Sequence, residues 1–210
     1  MPAINTVRTY ATHHLYHIYN RGAHKQEIFR GEEDYAYMLY LLKRSLSAEE
    51  MKDSSGRPFT KYTESVELVS FCLMPNHFHF LLYLKGEETT GIEKFMRSVM
   101  TAYSMYFNMK YKHSGTIFQG PYKASAVLED SYYTHIGRYI HLNPLDVVGH
   151  DYLTYPFSSI HYFMNRWTCD WVKPERILED GHTPKRYEKF LKDYEEYSKS
   201  LKQLKSTLAG

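Results

Sequence analysis

Two histidines separated by a single residue, His77 and His79, are the first side chains whose spacing suggests chemistry. They begin an apolar run (HFHFLLYL, 77–84) that predicts a β-strand. Because side chains alternate between the two faces of a strand, both imidazoles would project from one face and could hold one cation. Imidazole binds many divalent metals, but two ligands do not complete a site, so a third must come from elsewhere. The alternative is a pair of solvated histidines near a turn.

A tyrosine and an asparagine four residues apart form the second candidate pair. Tyr139 and Asn143 lie in the run RYIHLNP, which ends at Pro144. On a helix these two side chains would share a face, and His135 would lie one turn earlier on the same face. The Asn143 amide oxygen is a hard ligand suited to Mg²⁺ or Mn²⁺, and Tyr139 would then lie beside the ion. The alternative is a packed helix that Asn143 caps before Pro144.

The elements that must position these pairs follow from the apolar pattern. Their predicted order is strand, helix, strand, strand, helix, strand, helix. The strands are expected at 13–20, 66–74, 77–84 and 123–128, and the helices at 32–46, 92–112 and 131–143. Pro75 and Asn76 alone separate the second and third strands, which predicts an antiparallel hairpin. This order is typical of an α+β fold of the split βαβ kind.

Composition excludes several classes of protein. Two cysteines, Cys72 and Cys169, are too few for a disulfide framework or a four-cysteine zinc site. No apolar run approaches the roughly 20 residues of a membrane-spanning helix, and the N-terminus contains no apolar signal core. With 26 basic and 24 acidic residues, binding to nucleic acid must depend on a local arrangement rather than on bulk charge. We therefore expect a cytoplasmic protein with reduced thiols.

The order of several short motifs resembles the HUH single-tyrosine transposases, and most closely the REP-associated tyrosine transposases and their IS200-like relatives. The motifs are YNRG (19–22), MPNHFH (74–79), SGTIFQG (114–120) and YIHLNP (139–144), with a long amphipathic helix between the second and the third. The resemblance covers about residues 13–165. Its specificity lies in the agreement of several ordered motifs rather than in any one of them.

This resemblance implies a fold, a cofactor and a set of site residues. The family fold is an antiparallel sheet with helices on one face, of the ferredoxin-like or RNA-recognition kind. Carried over by position, His77, His79 and Asn143 would bind a divalent cation, Mg²⁺ or Mn²⁺. Tyr139 would be the nucleophile that forms a covalent bond to a 5′ phosphate of single-stranded or hairpin DNA and releases a 3′ hydroxyl. Such an intermediate permits rejoining of strands rather than simple hydrolysis.

Basic and aromatic side chains near these motifs are candidates for DNA contacts. Basic groups could meet phosphates, and rings near the glycine-containing loop could stack on bases. The candidates are Arg21, Arg97, Lys110, Lys112, Phe118, Tyr122, Lys123 and Arg138. For each residue taken alone, a solvated charge or a buried ring is the simpler interpretation. His135 and His141 are candidates for moving the tyrosine proton.

The sequence leaves other functions and the organisation of the chain open. A nicking or relaxase-like endonuclease would use the same four residues, whereas a silent nucleic-acid-binding module would have no need of them together. Residues 1–165 are predicted to form the transposase domain, and 166–210 a C-terminal helical extension without an assigned role. The expected partners are DNA and, in a homodimer, a second copy of the chain.

Overall fold

Four antiparallel strands form a sheet in the structure, a computed structural model that describes residues 9–127, 130–146, 151–178 and 183–194. The strands are β1 (Leu15–Arg21), β2 (Val66–Met74), β3 (His77–Leu84) and β4 (Lys123–Val127). Their order across the sheet is β2-β3-β1-β4, so β1 lies between the hairpin and β4. The apolar runs and the turn residues between them therefore predicted all four strands to within about two residues.

The helices also follow the predicted order. They are α1 (Glu32–Leu46), α2 (Gly91–Tyr111) and α3 (Asp130–Leu142), and residues 184–194 are helical as well. Short helical turns occur at Ala23–Lys25, Asn143–Asp146, Ile160–Phe163 and Pro174–Arg176. No helix in these described residues is long and apolar enough to cross a membrane.

Alternation along β3 separates the core from the candidate site. Phe78, Phe80 and Leu82 point towards α1 and α2 and are fully buried. Burial of each such side chain contributes roughly 1.5–3 kcal/mol, and a shift of register by one residue would exchange the two faces. The register of β3 is therefore strongly specified, and His77 and His79 must project from the face opposite to α1 and α2.

Helix α3 and the residues after it cover part of this opposite face. Leu81 of β3 packs there with Ile140 of α3 and with Leu191 of the helix at 184–194. On the face that packs against α1 and α2, Trp171 lies beside Phe71 with ring centroids 5.9 Å apart. The described residues after 165 thus contribute to the core of the sheet. The α+β antiparallel architecture is confirmed, and the division of the chain at 165 stays a prediction.

Candidate active site

A cavity of about 750 Å³ lies where β1, β3 and α3 meet. His77, His79, Tyr139 and Asn143 all line it, although they come from two distant stretches of sequence. The structure therefore brings together, within one chain, the four residues that the motifs single out.

The β1–β3 pairing aims both histidines into the cavity. In the ladder, His77 is opposite Arg21 and His79 is opposite Tyr19. The two imidazole ring centroids are 5.1 Å apart and the ring planes are nearly perpendicular, at 89°. This spacing follows from two residues that share one face of a pleated strand.

A neighbouring amide orients the His77 ring. The His77 Nδ1 atom lies 2.7 Å from Oδ1 of Asn76, whose Nδ2 donates to the Lys25 carbonyl oxygen. Because an amide oxygen only accepts, Nδ1 of His77 carries the proton and donates. In the neutral ring the lone pair is then on Nε2, which lies 3.4 Å from Oδ1 of Asn143.

The Asn143 side chain caps helix α3 with its nitrogen and faces the cavity with its oxygen. Its Nδ2 donates to the Tyr139 carbonyl oxygen over 2.8 Å, which caps α3 as the packed-helix alternative predicted. The same bond turns Oδ1 towards Nε2 of His77, so two electron-pair donors face each other. Adjacent ligands of an octahedral Mg²⁺ with bonds of 2.0–2.1 Å are about 3 Å apart. The two donor atoms therefore fit a shared cation.

His79 is buried and has a histidine as its partner. Its Nδ1 lies 2.9 Å from Nε2 of His17, a β1 residue on the same face. Burial lowers the pKa of His79 well below the usual histidine value, and the nearby His17 and His77 lower it further. Burial also lowers the pKa of His17 to about 4. Both rings are therefore neutral near pH 7, which is the protonation state that binds metals.

The donor set fits a hard or borderline divalent cation held by two imidazoles and one amide oxygen. In the part of the chain that the structure describes, no group of three His, Cys, Asp or Glu side chains is placed to hold a metal. The Asn143 oxygen, which faces Nε2 of His77 at 3.4 Å, is the candidate for a third protein ligand beside His77 and His79. Such a set leaves coordination positions for water or a phosphate oxygen.

Tyr139 presents its ring to the same cavity. Its ring centroid is 5.6 Å from that of His79 and 5.7 Å from that of His17, nearly perpendicular to both. The residue is 48% exposed, whereas Ile140 beside it is fully buried. Tyr139 is therefore not a core residue of α3, and its ring is accessible from solvent.

Two of the predicted DNA contacts line this cavity. They are Arg21 and Lys123, and the Lys123 Nζ atom lies 5.8 Å from the centre of the Tyr19 ring. Lys25 and Gln119, which the sequence analysis did not single out, line it as well. The cavity is therefore rich in groups that can donate to phosphate oxygens.

The remaining predicted DNA contacts lie outside the cavity lining, and several have structural partners. Lys110 pairs with Asp34, whose side chain is completely buried. Phe118 is a core residue packed edge-on against Phe78, with ring centroids 6.0 Å apart. The Tyr122 hydroxyl accepts a hydrogen bond from Tyr10. These contacts hold the fold together.

The other three occupy different surfaces. Arg97 is exposed on α2, and Lys112 ends that helix with a left-handed φ of 49°. The Arg138 guanidinium stacks on the Phe190 and Tyr194 rings, 4.1 and 4.4 Å from their centres. Arg138 therefore attaches the C-terminal helix to α3. A role of these residues in DNA binding stays a prediction.

The two histidines proposed to move the tyrosine proton are placed elsewhere on α3. His141 is fully buried, with Nδ1 2.8 Å from the Tyr187 hydroxyl and Nε2 2.7 Å from Oγ of Ser159. Burial lowers its pKa to about 3. His135 Nδ1 lies 2.6 Å from Nη2 of Arg138. Neither histidine lines the cavity, and His141 instead connects α3 to the C-terminal segment.

Comparison with known proteins assigns the chain to a family. The family described as "Transposase IS200 like" matches residues 10–143, which is more than half of the chain and includes the four candidate site residues. The chain therefore belongs to the IS200-like transposase family, as its motifs predicted. No curated protein matches the chain in sequence.

Two solved structures are similar to the chain. A REP-associated tyrosine transposase bound to a REP hairpin matches with a TM-score of 0.56 and 14% identity, over 86% of this chain and 97% of that one. A candidate transposase from Deinococcus radiodurans R1 matches with a TM-score of 0.40 and 17% identity, over 65% and 95% of the two chains. The first match shows that the two proteins share a fold.

Proposed function

We propose that this IS200-like transposase cleaves and rejoins single-stranded or hairpin DNA through a covalent phosphotyrosine at Tyr139, with a divalent cation at His77, His79 and Asn143. The observation that carries the proposal is the exposed Tyr139 ring, 5.6 Å from His79, at the cavity where His77 Nε2 faces Asn143 Oδ1. Exposure lets the phenol reach a strand, and the neighbouring donor atoms place charge stabilisation beside it.

The covalent step transfers a phosphoryl linkage to the tyrosine. The Tyr139 oxygen forms a bond to the 5′ phosphorus as the bond from that phosphorus to the 3′ oxygen breaks. The proton that the phenol loses balances the proton that the 3′ oxygen gains when it leaves as a hydroxyl. A second 3′ hydroxyl reverses the reaction and joins a different end. Because a phenol has an ordinary pKa of about 10, the hydroxyl needs a nearby positive charge to ionise at neutral pH.

The metal ligands are pre-oriented by hydrogen bonds within the chain. A bound divalent cation would act as a Lewis acid on a non-bridging oxygen of the scissile phosphate. Asn76 fixes the His77 ring, and the Tyr139 carbonyl oxygen fixes the Asn143 amide. Rigid placement of this kind lowers the reorganisation that the reaction would otherwise require.

The basic groups around the cavity favour a DNA strand as the substrate. Arg21, Lys25 and Lys123 surround the histidines and can neutralise phosphates on both sides of the cleaved bond. The structurally similar REP-associated transposase is bound to a REP hairpin, which supports a hairpin as the DNA form. One chain supplies His77, His79, Tyr139 and Asn143, so a homodimer would not be needed to complete the site.

A covalent adduct assay tests the proposal. Wild-type protein with Mg²⁺ or Mn²⁺ and a labelled single-stranded hairpin should give an adduct that survives denaturation. Tyr139→Phe should abolish the adduct while hairpin binding changes less than about twofold, and His77→Ala should abolish it as well. Tyr106→Phe is the matched control, because Tyr106 bonds to Asp34 away from the cavity. An adduct that persists in Tyr139→Phe would contradict the assignment of the nucleophile.

A nicking or relaxase-like endonuclease is the second candidate, since the same four residues would form the same adduct. Adding a second strand with a free 3′ hydroxyl to the isolated adduct separates the two functions. A transposase should release the tyrosine and yield a joined strand, whereas an enzyme specialised for nicking should restore only the original junction.

A further inference from the structure

His17 on β1 is a third histidine of the site that the motif analysis does not single out. Its Nε2 lies 2.9 Å from Nδ1 of His79, and the two rings are nearly parallel, with centroids 5.1 Å apart. Tyr19 is the β1 residue directly opposite His79. His17 lies two residues earlier on β1, so its side chain projects from the same face as that of Tyr19. His17 is not among the residues that line the cavity.

The proton between these two nitrogens decides what His79 can bind. In a pair of neutral imidazoles one ring donates and the other accepts. If His79 Nδ1–H donates, the lone pair of His79 is on Nε2 and can bind a cation. If His17 Nε2–H donates instead, His79 carries its proton on Nε2, and that nitrogen cannot be a ligand.

We propose that His17 is a positioning residue whose Nε2 accepts a hydrogen bond from His79 Nδ1–H and so fixes the tautomer and ring plane in which His79 binds a divalent cation. The proposal rests on the metal site of the proposed function. The neighbouring His77 has a hydrogen-bond acceptor at the same ring atom, because Asn76 Oδ1 accepts from His77 Nδ1–H over 2.7 Å. Each imidazole thus has an acceptor for Nδ1, which leaves Nε2 for the metal.

The surroundings of His17 hold its ring in place for this role. The Tyr19 ring stacks on it with centroids 5.1 Å apart and an angle of 25° between planes. The Tyr139 ring meets it edge-on, with centroids 5.7 Å apart. A ring restrained on these sides offers its acceptor nitrogen in one direction, towards His79. Outer partners of this kind typically change metal affinity 10–100-fold when they are removed.

Binding of Mn²⁺ alone, measured by calorimetry or electron paramagnetic resonance without DNA, tests the proposal. His17→Phe keeps a planar ring but removes the acceptor, and it should weaken Mn²⁺ binding by about 10–100-fold. His17→Gln can place an amide oxygen near the Nε2 position, and its affinity should return to within about threefold of wild type. His14→Gln is the matched control, because His14 directly precedes β1 and its Nδ1 lies 2.7 Å from the Thr12 carbonyl oxygen.

The variants separate positioning from simple packing. Equal losses of affinity in His17→Phe and His17→Gln, or wild-type affinity in both, would overturn the proposal. If wild type and His77→Ala bind Mn²⁺ equally weakly, the metal site of the proposed function fails instead. Nitrogen NMR of the wild-type histidines needs no variant: the proposal requires His79 protonated on Nδ1, and a proton on its Nε2 would refute it.

Discussion

The Oδ1 atom of Asn143 lies 3.4 Å from Nε2 of His77, across 66 residues of sequence. The asparagine caps α3 with its nitrogen and faces the histidine with its oxygen. Because one amide performs both tasks, the end of the helix and the candidate ligand set are fixed together. Any shift of α3 relative to β3 would separate the two donor atoms.

Asn143 variants should separate the ligand oxygen from the helix cap. Asn143→Ala removes both and should lower Mn²⁺ affinity by at least about 10-fold, since removal of an outer partner of a ligand alone costs about 10–100-fold. Asn143→Asp retains an oxygen and should keep most of the affinity. A carboxylate cannot donate to the Tyr139 carbonyl oxygen, and its negative charge lies at the C-terminus of α3, so the variant should lose at least about 0.3–1 kcal/mol of stability without metal. Calorimetric titration with Mn²⁺ and thermal unfolding in chelator measure the two effects.

Asn108→Ala is the control for these variants, because Asn108 lies at the end of α2 and donates to the Gly115 carbonyl oxygen. It should leave Mn²⁺ affinity unchanged. Wild-type affinity in Asn143→Ala would exclude this amide from the ligand set.

Lys123 should contribute to DNA affinity through a phosphate. Lys123→Ala removes one cation from the cavity and should weaken hairpin binding while reducing the slope of log affinity against log salt by about 1. Fluorescence anisotropy at several salt concentrations measures both quantities. Lys43→Ala, which removes a lysine paired with Glu49 on the far side of the sheet, should leave the slope unchanged. Equal slopes in the two variants would place the DNA elsewhere.

Asp34 should make stability depend on acid pH. Burial raises its pKa, but hydrogen bonds to the carboxylate outweigh this effect, so that the pKa lies below the ordinary value of 3.8. The donors are the side chains of Lys110, Tyr111 and Tyr106 and the backbone amides of Arg30 and Gly31. A depressed folded pKa gives stability that is complete above 3.8 and is lost as the pH falls through the lower, folded value.

Asp34→Asn tests this dependence by urea unfolding at several pH values. The variant should be less stable than wild type by about 1–3 kcal/mol at pH 7, since a buried acceptor for a charged group is lost. The difference should shrink as the pH falls from 3.8 through the lower folded pKa, because the unfolded wild-type chain binds a proton in this range while the folded carboxylate still resists protonation. A difference that does not vary with pH would show that the carboxylate charge is not responsible.

Ser159 should be important for the position of α3. Its Oγ accepts from the Phe71 backbone amide over 2.8 Å and lies 2.7 Å from Nε2 of His141, in a fully buried position. Ser159→Ala leaves both groups without this partner and should cost about 1–3 kcal/mol in the free energy of unfolding. Ser98→Ala on the half-buried face of α2 should cost less than about 0.5 kcal/mol. Equal stabilities of the two variants would contradict this role.

Much of the fold could be predicted because its signals are local. Two apolar runs, 66–74 and 77–84, flank Pro75 and Asn76, and the structure contains a hairpin with those bounds. The position of Tyr139 beside His79 could not be derived from periodicity, because it depends on how α3 packs across the sheet. The resemblance carried by the ordered motifs implied that juxtaposition, and in the structure the two ring centroids are 5.6 Å apart.

The part of the site that the sequence did not predict depends on strand pairing. His17 and His79 meet because β1 lies beside β3, and no local pattern specifies which strands become neighbours. Alternation along β1 does place His17, Tyr19 and Arg21 on one face, so this signal was present. Phe118 was a candidate for stacking on DNA bases because it lies near a glycine-containing loop. Its ring is instead buried in the core, and the local sequence does not distinguish these two environments.

The outer edge of β2 is completed by residues that lie beyond the family-matched region. The Leu73 amide donates to the Phe157 carbonyl, the Ser159 amide to the Phe71 carbonyl, and the Lys173 amide to the Leu68 carbonyl. A chain that stopped at residue 143 would present this strand with unsatisfied backbone groups, which are a template for pairing with other chains. Truncation of the protein after residue 143, where the family-matched region ends, should therefore yield aggregates rather than a minimal enzyme.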